Sequence, residues 1–132
     1  MENRANKFLW GTKFLMLTQI IKKSELDQYI TTFGPGQTIF LEGDESQDLY
    51  ILLSGHVDIL KGNKNIAEIN IGGSLFGEMS FFLGARRTAS VKARNEVRAI
   101  RIPQEEIPNF LRDFPNVAED ITKLLAKRLN ET

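Results

Sequence analysis

From Tyr29 to Pro103 the chain is cut by turn residues at intervals of roughly 8–12 positions, a rhythm that limits the fold to short, repeatedly reversing strands. The β-type runs are Tyr29–Phe33, Thr38–Leu41, Leu49–Leu53, Val57–Leu60 and the stretch holding Ile66, Ile69 and Ile71. Between them stand Gly34-Pro35-Gly36, Glu42-Gly43-Asp44, Ser54-Gly55, Lys61–Asn65 and Gly72-Gly73. Such spacing predicts an antiparallel sandwich, barrel or jelly roll. Lys61–Asn65 is polar and holds a Gly-Asn pair, so it reads as a hairpin tip. Pro35 falls in a turn, where its missing N–H removes nothing from a ladder. Further on, Thr88–Ala93 alternates, with Ala89, Val91 and Ala93 on one face, and Val97, Ile100 and Ile102 return before Pro103.

Both ends read as helical. From Phe8 to about Leu26 the apolar residues Phe8, Leu9, Trp10, Phe14, Leu15, Leu17, Ile20 and Ile21 fit one helical face broken at Gly11, and this element is expected to pack on the body. Gln104–Arg112 carries Ile107, Phe110 and Leu111 on a common side. Pro115 suits a helix start, and Val117, Ile121, Leu124, Leu125 and Leu129 continue an amphipathic helix. The expected fold is mainly β: an antiparallel, jelly-roll-like β-roll with N-terminal and C-terminal flanking helices and one short inserted helix. A single domain is expected over 1–132, with a helical segment over 1–27, the roll over 28–103 and helices over 104–132.

Composition narrows the function classes. A chain of 132 residues buries a working core without disulfides, and it has no cysteine to indicate an oxidising compartment. Lys+Arg and Asp+Glu are equal at 17 each, which argues against coating nucleic acid or an anionic membrane. The apolar stretch Phe8–Ile21 is too short to span a bilayer and lacks a cleavage-site pattern, so a cytoplasmic location is expected. One histidine, His56, cannot supply the converging imidazoles of a cupin-type metalloenzyme. No catalytic residue, metal or cofactor is therefore expected.

Phe76–Val91 reads F-G-E-M-S-F-F-L-G-A-R-R-T-A-S-V, and two glycines bracket an apolar run of one or two helical turns. A turn glycine before a helix start offers backbone N–H groups and a positive dipole end. Arg86 or Arg87 supplies a planar fork matched to phosphate oxygens. Read by itself, the stretch is a generic anion site. The blander account makes Glu78 a helix-end charge and the arginine a surface ion-pair partner.

In order along the chain come Phe33-x-Pro35-Gly36-x-x-Ile39, Glu42-Gly43-Asp44, Leu49-Tyr50-Ile51-Leu52-Leu53-Ser54-Gly55-x-Val57 and the Phe76–Val91 stretch. This ordered set resembles the cyclic-nucleotide-binding domain family, which includes the catabolite activator protein, the regulatory subunits of the cyclic-AMP-dependent kinase and the cyclic-nucleotide-gated channels. The resemblance covers roughly Phe33 to Leu129, and residues 76–91 resemble the family's phosphate-binding cassette. It implies a ligand-sensing module that binds cyclic AMP, or cyclic GMP, reversibly and reports through its C-terminal helices. By the same resemblance Glu78 accepts a hydrogen bond from the ribose 2′-hydroxyl, the amides of Gly77 and its neighbours hold the sugar or cyclic phosphate, and Arg87 pairs with the phosphate. Arg87 shares strand parity with Ala89 and Val91, in agreement with that choice over Arg86. Thr88 matches a position whose hydroxyl or amide reaches the phosphate, and it occurs in members answering to either base. The expected ligand-binding set is Phe76, Gly77, Glu78, Met79, Ser80, Arg86, Arg87, Thr88 and Ala89. Phe81, Phe82 and Leu83 are expected in core or hinge packing. The terminal helices are the expected surface for a second copy or a partner protein. The alternative is a roll that has lost nucleotide binding and serves as a docking domain.

Overall fold

A computed structural model of the chain describes residues 27–131. The helical element expected over Phe8–Leu26 lies outside the described residues. Eight short strands form two antiparallel sheets: β1 (Ile30–Phe33), β2 (Thr38–Phe40), β3 (Leu49–Ser54), β4 (Val57–Lys61), β5 (Lys64–Ile69), β6 (Leu75–Phe76), β7 (Ser90–Ala93) and β8 (Val97–Ile102). One sheet runs β1-β8-β3-β6 and the other β2-β7-β4-β5. Apart from the β4–β5 hairpin, each successive strand changes sheet, and the first and last strands, β1 and β8, pair, which gives the roll its jelly-roll character. A short helix, α1 (Glu78–Leu83), is inserted between β6 and β7, and α2 (Ile107–Asp113) and α3 (Pro115–Glu131) follow β8. The expected class, a mainly antiparallel β-roll flanked by helices, is the class observed.

The roll has two apolar layers because one sheet is covered on both faces. Tyr50 and Leu52 of β3 point between the sheets with Phe33, Phe40, Val57, Ile59, Ile69, Phe76, Val91 and Val97. Leu49 and Ile51, on the other face of the same strand, pack with Ile100, Ile102, Ile107, Phe110, Val117, Ile121 and Leu124. Four consecutive residues of β3, Leu49–Leu52, are therefore buried, which explains an unbroken apolar run where a one-sided strand would alternate. Each fully buried Leu or Ile contributes roughly 1.5–3 kcal/mol.

Several boundaries differ from the sequence reading for identifiable reasons. Tyr29 closes a 3₁₀ turn, Asp27–Tyr29, before β1. The hairpin tip is only Gly62-Asn63, because Lys61 already pairs with Lys64. Ile71 lies beyond β5 and is exposed; there the chain curls back onto β3, with Gly73 N donating to Leu52 O at 2.7 Å and Leu52 N to Ser74 O at 2.8 Å. Gln104–Glu106 is a 3₁₀ turn, and α2 begins only at Ile107. Pro108 has no N–H to give Gln104 O, so the α-helical ladder cannot begin that early; Ile107 N donates to Gln104 O in a tighter turn.

His56, alone in the sequence, has company in the fold. The β4–β5 register sets Asp58 opposite Glu68, and His56 Nε2 lies 3.0 Å from Glu68 Oε2 and 3.9 Å from Asp58 Oδ1. Arg94 Nη2 bonds both carboxylates at 2.6 Å, so a cation already sits between them. Burial pushes the Asp58 carboxyl up, but hydrogen bonds from Arg94 and Asn65 outweigh it and hold the group below its ordinary 3.8. Hydrogen bonds from His56 and Arg94 hold Glu68 below its ordinary 4.5. Among the described residues no helix is long and apolar enough to cross a membrane.

Two predictions follow the packing. Gly55 has φ +99°, and a Cβ there would stand 2.4 Å from Glu96 O, so Gly55→Ala should destabilise the fold by about 2 kcal/mol or more; an unchanged denaturant midpoint would refute this. Because the folded-state values of Asp58 and Glu68 are depressed, their contribution is full above the ordinary values and is lost as pH falls through the folded ones. Acid titration of denaturant stability should show this loss in the wild type below those ordinary values, small because the groups are solvated, and a shallower loss in Arg94→Ala.

Candidate functional site

The cassette is built by a sharp reversal after β6. Tyr50 pairs with Phe76 across the β3–β6 ladder, and their rings stack 5.1 Å apart at 6°. Gly77 then turns the chain with φ +82°, a conformation that L side chains rarely adopt. A Cβ there would also stand 3.0 Å from Arg87 Nη1 and 3.1 Å from Asp48 O, so the glycine lets the arginine and the β2–β3 loop close on the backbone. Glu78, fully buried, opens α1, and Gly84 ends it in the left-handed region, with Ala85 N donating to Ser80 O at 2.9 Å.

The chain returns along the β2–β3 loop. Arg87 N donates to Asp44 O at 2.9 Å and Gly43 N to Arg87 O at 2.8 Å. These bonds take residues 85–89 out of the β7 ladder, which starts only at Ser90, and the expected strand from Thr88 is correspondingly shorter. The in–out alternation nevertheless persists: Arg87, Ala89, Val91 and Ala93 are buried, while Arg86 and Thr88 are exposed.

Arg87 is only 3% exposed, and its guanidinium is held on all sides. Nη1 donates to Gly77 O at 2.7 Å and to Ser80 Oγ at 2.6 Å; Nη2 donates to Asp48 O at 2.7 Å; Nε donates to Ser46 Oγ at 3.2 Å. The Phe40 ring lies 4.0 Å beneath the guanidinium carbon, a cation–π contact. Burial pushes the guanidinium below its ordinary value, and the nearby Tyr50, Asp48 and Asp44 partly restore it. An arginine stays charged through such a shift. Burial also raises the Tyr50 phenol, with Asp48 adding to it.

A shallow pocket of about 20 Å³ opens above this cluster, lined by Phe40, Gly77, Glu78, Met79, Ser80, Arg87, Thr88, Ala89 and Val91. Most of the expected set therefore converges. Phe76 does not line it, because its ring is committed to the core beneath. Arg86 faces outward, with Nη1 on Gly43 O at 3.1 Å and Nη2 on Glu45 at 2.6 Å. Phe40 and Val91 were missed; the inward parity of Val91 with Ala89 was the available signal. Asp48 and Ser46, 39 and 41 positions before Arg87, left no local signal.

A larger cavity of about 560 Å³ lies elsewhere, lined by Gln28, Tyr29, Ile102, Glu106, Asn109, Phe110, Asp113 and Phe114. Its charged groups are the acids Glu106 and Asp113, which oppose a phosphate, so the smaller pocket with its buried guanidinium is the candidate anion site.

Comparison with known proteins finds relatives of this chain in sequence and in fold. The chain is 35% identical over 104 residues to the CRP-like cAMP-activated global transcriptional regulator of Mycobacterium tuberculosis, covering 76% of this chain and 46% of the regulator. The solved catabolite activator protein of Thermus thermophilus superposes with a TM-score of 0.70 at 30% identity, over 87% of this chain and 58% of that one. The EAL enzyme Bd1971 in its cGMP-bound form superposes with a TM-score of 0.59 at 30% identity, over 76% of this chain and 28% of that one; its cAMP-bound form gives 0.56. The chain spans about half the length of the curated bacterial regulators it matches. The family model of the cyclic nucleotide-binding domain matches residues 30–114, which takes in both sheets, α1 and the arginine. This chain belongs to the cyclic nucleotide-binding domain family.

Proposed function

We propose that this chain is a regulatory domain that reversibly binds a 3′,5′-cyclic nucleotide, cyclic AMP ahead of cyclic GMP, and relays occupancy through α2 and α3. One observation carries the reading: a buried guanidinium whose four hydrogen-bond acceptors are all uncharged oxygens lines the same pocket as a buried carboxylate. A buried cation with no charged group among these four acceptors gains from an anion in the adjacent pocket, beyond what the more distant Asp48 and Asp44 supply. Glu78 would repel bare phosphate but accepts from a sugar hydroxyl, so the pair together favours a nucleotide. In this reading Gly77, Met79, Ser80, Thr88 and Ala89 form the surround, and Arg86 contributes only to loop geometry.

Asp48 supports the relay. Its carbonyl takes Arg87 Nη2, while its carboxylate takes Arg101 Nε at 2.7 Å and Gln104 N at 2.9 Å, at the foot of the C-terminal helices. A change in how Arg87 is held is thereby passed to the start of α2, and a second copy or partner protein would read it from the terminal helices. The role is binding without chemistry, and the intracellular setting of a cyclic-nucleotide signal fits it. A docking roll without nucleotide gains no support from a pocket that keeps both charged residues buried.

Two titrations test this. Calorimetry of the wild type with cyclic AMP and cyclic GMP should show saturable binding, and Arg87→Ala should lose roughly 30-fold to several thousand-fold in affinity. Near-unchanged affinity in that folded variant would remove Arg87 from the site, and no saturable binding in the wild type would favour docking. The wild type should also prefer cyclic AMP over its 2′-deoxy analogue by about tenfold, and Glu78→Ala should erase the preference. Equal affinities in the wild type would take the ribose role from Glu78.

A further inference from the structure

We propose that His56, Asp58 and Glu68 form a site for a divalent transition-metal ion of the zinc class, and that the Arg94 side chain is the cation it displaces. None of the four residues lines the nucleotide pocket. Val57 and Ile59 of β4 and Ala67 and Ile69 of β5 enter the core, so Asp58 and Glu68 stand on the opposite face, paired across the hairpin. His56 precedes β4, and its Nε2 lies 3.0 Å from Glu68 Oε2 and 3.9 Å from Asp58 Oδ1. One imidazole nitrogen and two carboxylate oxygens thus come within 4.8 Å of one another. At zinc bond lengths of about 2.0–2.2 Å, ligands around a tetrahedral ion stand about 3.3–3.6 Å apart. The two His56 distances bracket that spacing.

The cluster is more than a pair of acids, because the space between the carboxylates already holds a cation. Arg94 Nη2 lies 2.6 Å from both Asp58 Oδ1 and Glu68 Oε2, and a metal ion there needs each oxygen to close by only about half an ångström. The metal adds the Nε2 lone pair of His56, and three protein ligands leave a fourth position for water. The ligands are fixed more firmly than their competitor. His56 N donates to Asn95 Oδ1 and His56 O accepts from Arg94 N, each at 2.8 Å. The His56 and Asp58 side chains are 17% exposed and that of Arg94 is 48% exposed, so the guanidinium can turn to solvent while its backbone bond stays intact. Despite burial, Asp58 stays below its ordinary value, and hydrogen bonds from His56 and Arg94 hold Glu68 below its own, so both are ionised ligands at neutral pH. A nitrogen and two oxygens without thiolate suit zinc and its neighbours, whereas calcium and magnesium take oxygen ligands.

The test is calorimetric titration of the untagged protein with Zn²⁺, as wild type, Arg94→Ala, His56→Ala and the double variant. Wild type should bind one ion per chain by millimolar zinc. Arg94→Ala should bind it at least about tenfold more tightly, because a unit positive charge no longer competes for the two carboxylates. Each variant without His56 should bind at least about tenfold more weakly than its parent. Three results would overturn the proposal: no binding to wild type at millimolar zinc, binding that Arg94→Ala does not tighten, or binding that persists undiminished without His56, which marks an adventitious ion on other surface acids. Where thermal melting shows an alanine variant unfolded, Arg94→Gln or His56→Gln carries the same comparison. No cyclic nucleotide enters the titration, so its result stands or falls apart from the functional reading above.

Discussion

A single buried cation ties the cassette to the roll. The Arg87 guanidinium draws acceptors from the turn at Gly77, from the first turn of α1 and from the β2–β3 loop some forty residues earlier, and Phe40 closes it from below. A buried charge of this kind is tolerated only when its donors are satisfied, so these segments are each held in place by the same demand. Backbone bonds from Arg87 to Asp44 and Gly43 then anchor the loop from the other side. Gly77 is the permissive element, because any side chain there would press on both the arginine and the Asp48 carbonyl.

Much of this was legible in the sequence wherever the signal is local. Turn glycines and short apolar runs marked the roll. Pro115 marked the start of α3, and parity with Ala89 and Val91 separated the buried Arg87 from the exposed Arg86. The parity held although residues 85–89 leave the ladder, where the Gly43 and Asp44 bonds hold Arg87 against the β2–β3 loop. What escaped was set by long-range pairing. His56 looked isolated because Glu68 joins it and Asp58 only through the β4–β5 register. Ser46, Asp48 and Phe40 carry no motif of their own, and their partners lie in a different part of the chain. Pro108 was the overlooked local signal: its missing N–H splits the expected Gln104–Arg112 helix into a 3₁₀ turn and α2.

The two-layer core links the side of the roll that carries the site to the helices through β3. β3 sends Tyr50 toward the cassette, where it stacks on Phe76, and Leu49 and Ile51 toward α2 and α3. The core layer beneath the pocket and the helix-bearing face thus meet on opposite sides of the same strand, which is buried over four residues.

Asp48 serves these parts with two chemically different groups, and this has an evolutionary consequence. Its contact with Arg87 is made by a main-chain carbonyl, which every amino acid supplies. Its contacts with Arg101 and the Gln104 amide are made by a carboxylate, which most residues do not. Substitution at this one position can therefore cut the link to the helices while the arginine keeps its acceptor. In the proposed function, ligand recognition and signal output are then free to diverge independently, and a descendant of this fold can keep its pocket while changing what the pocket controls.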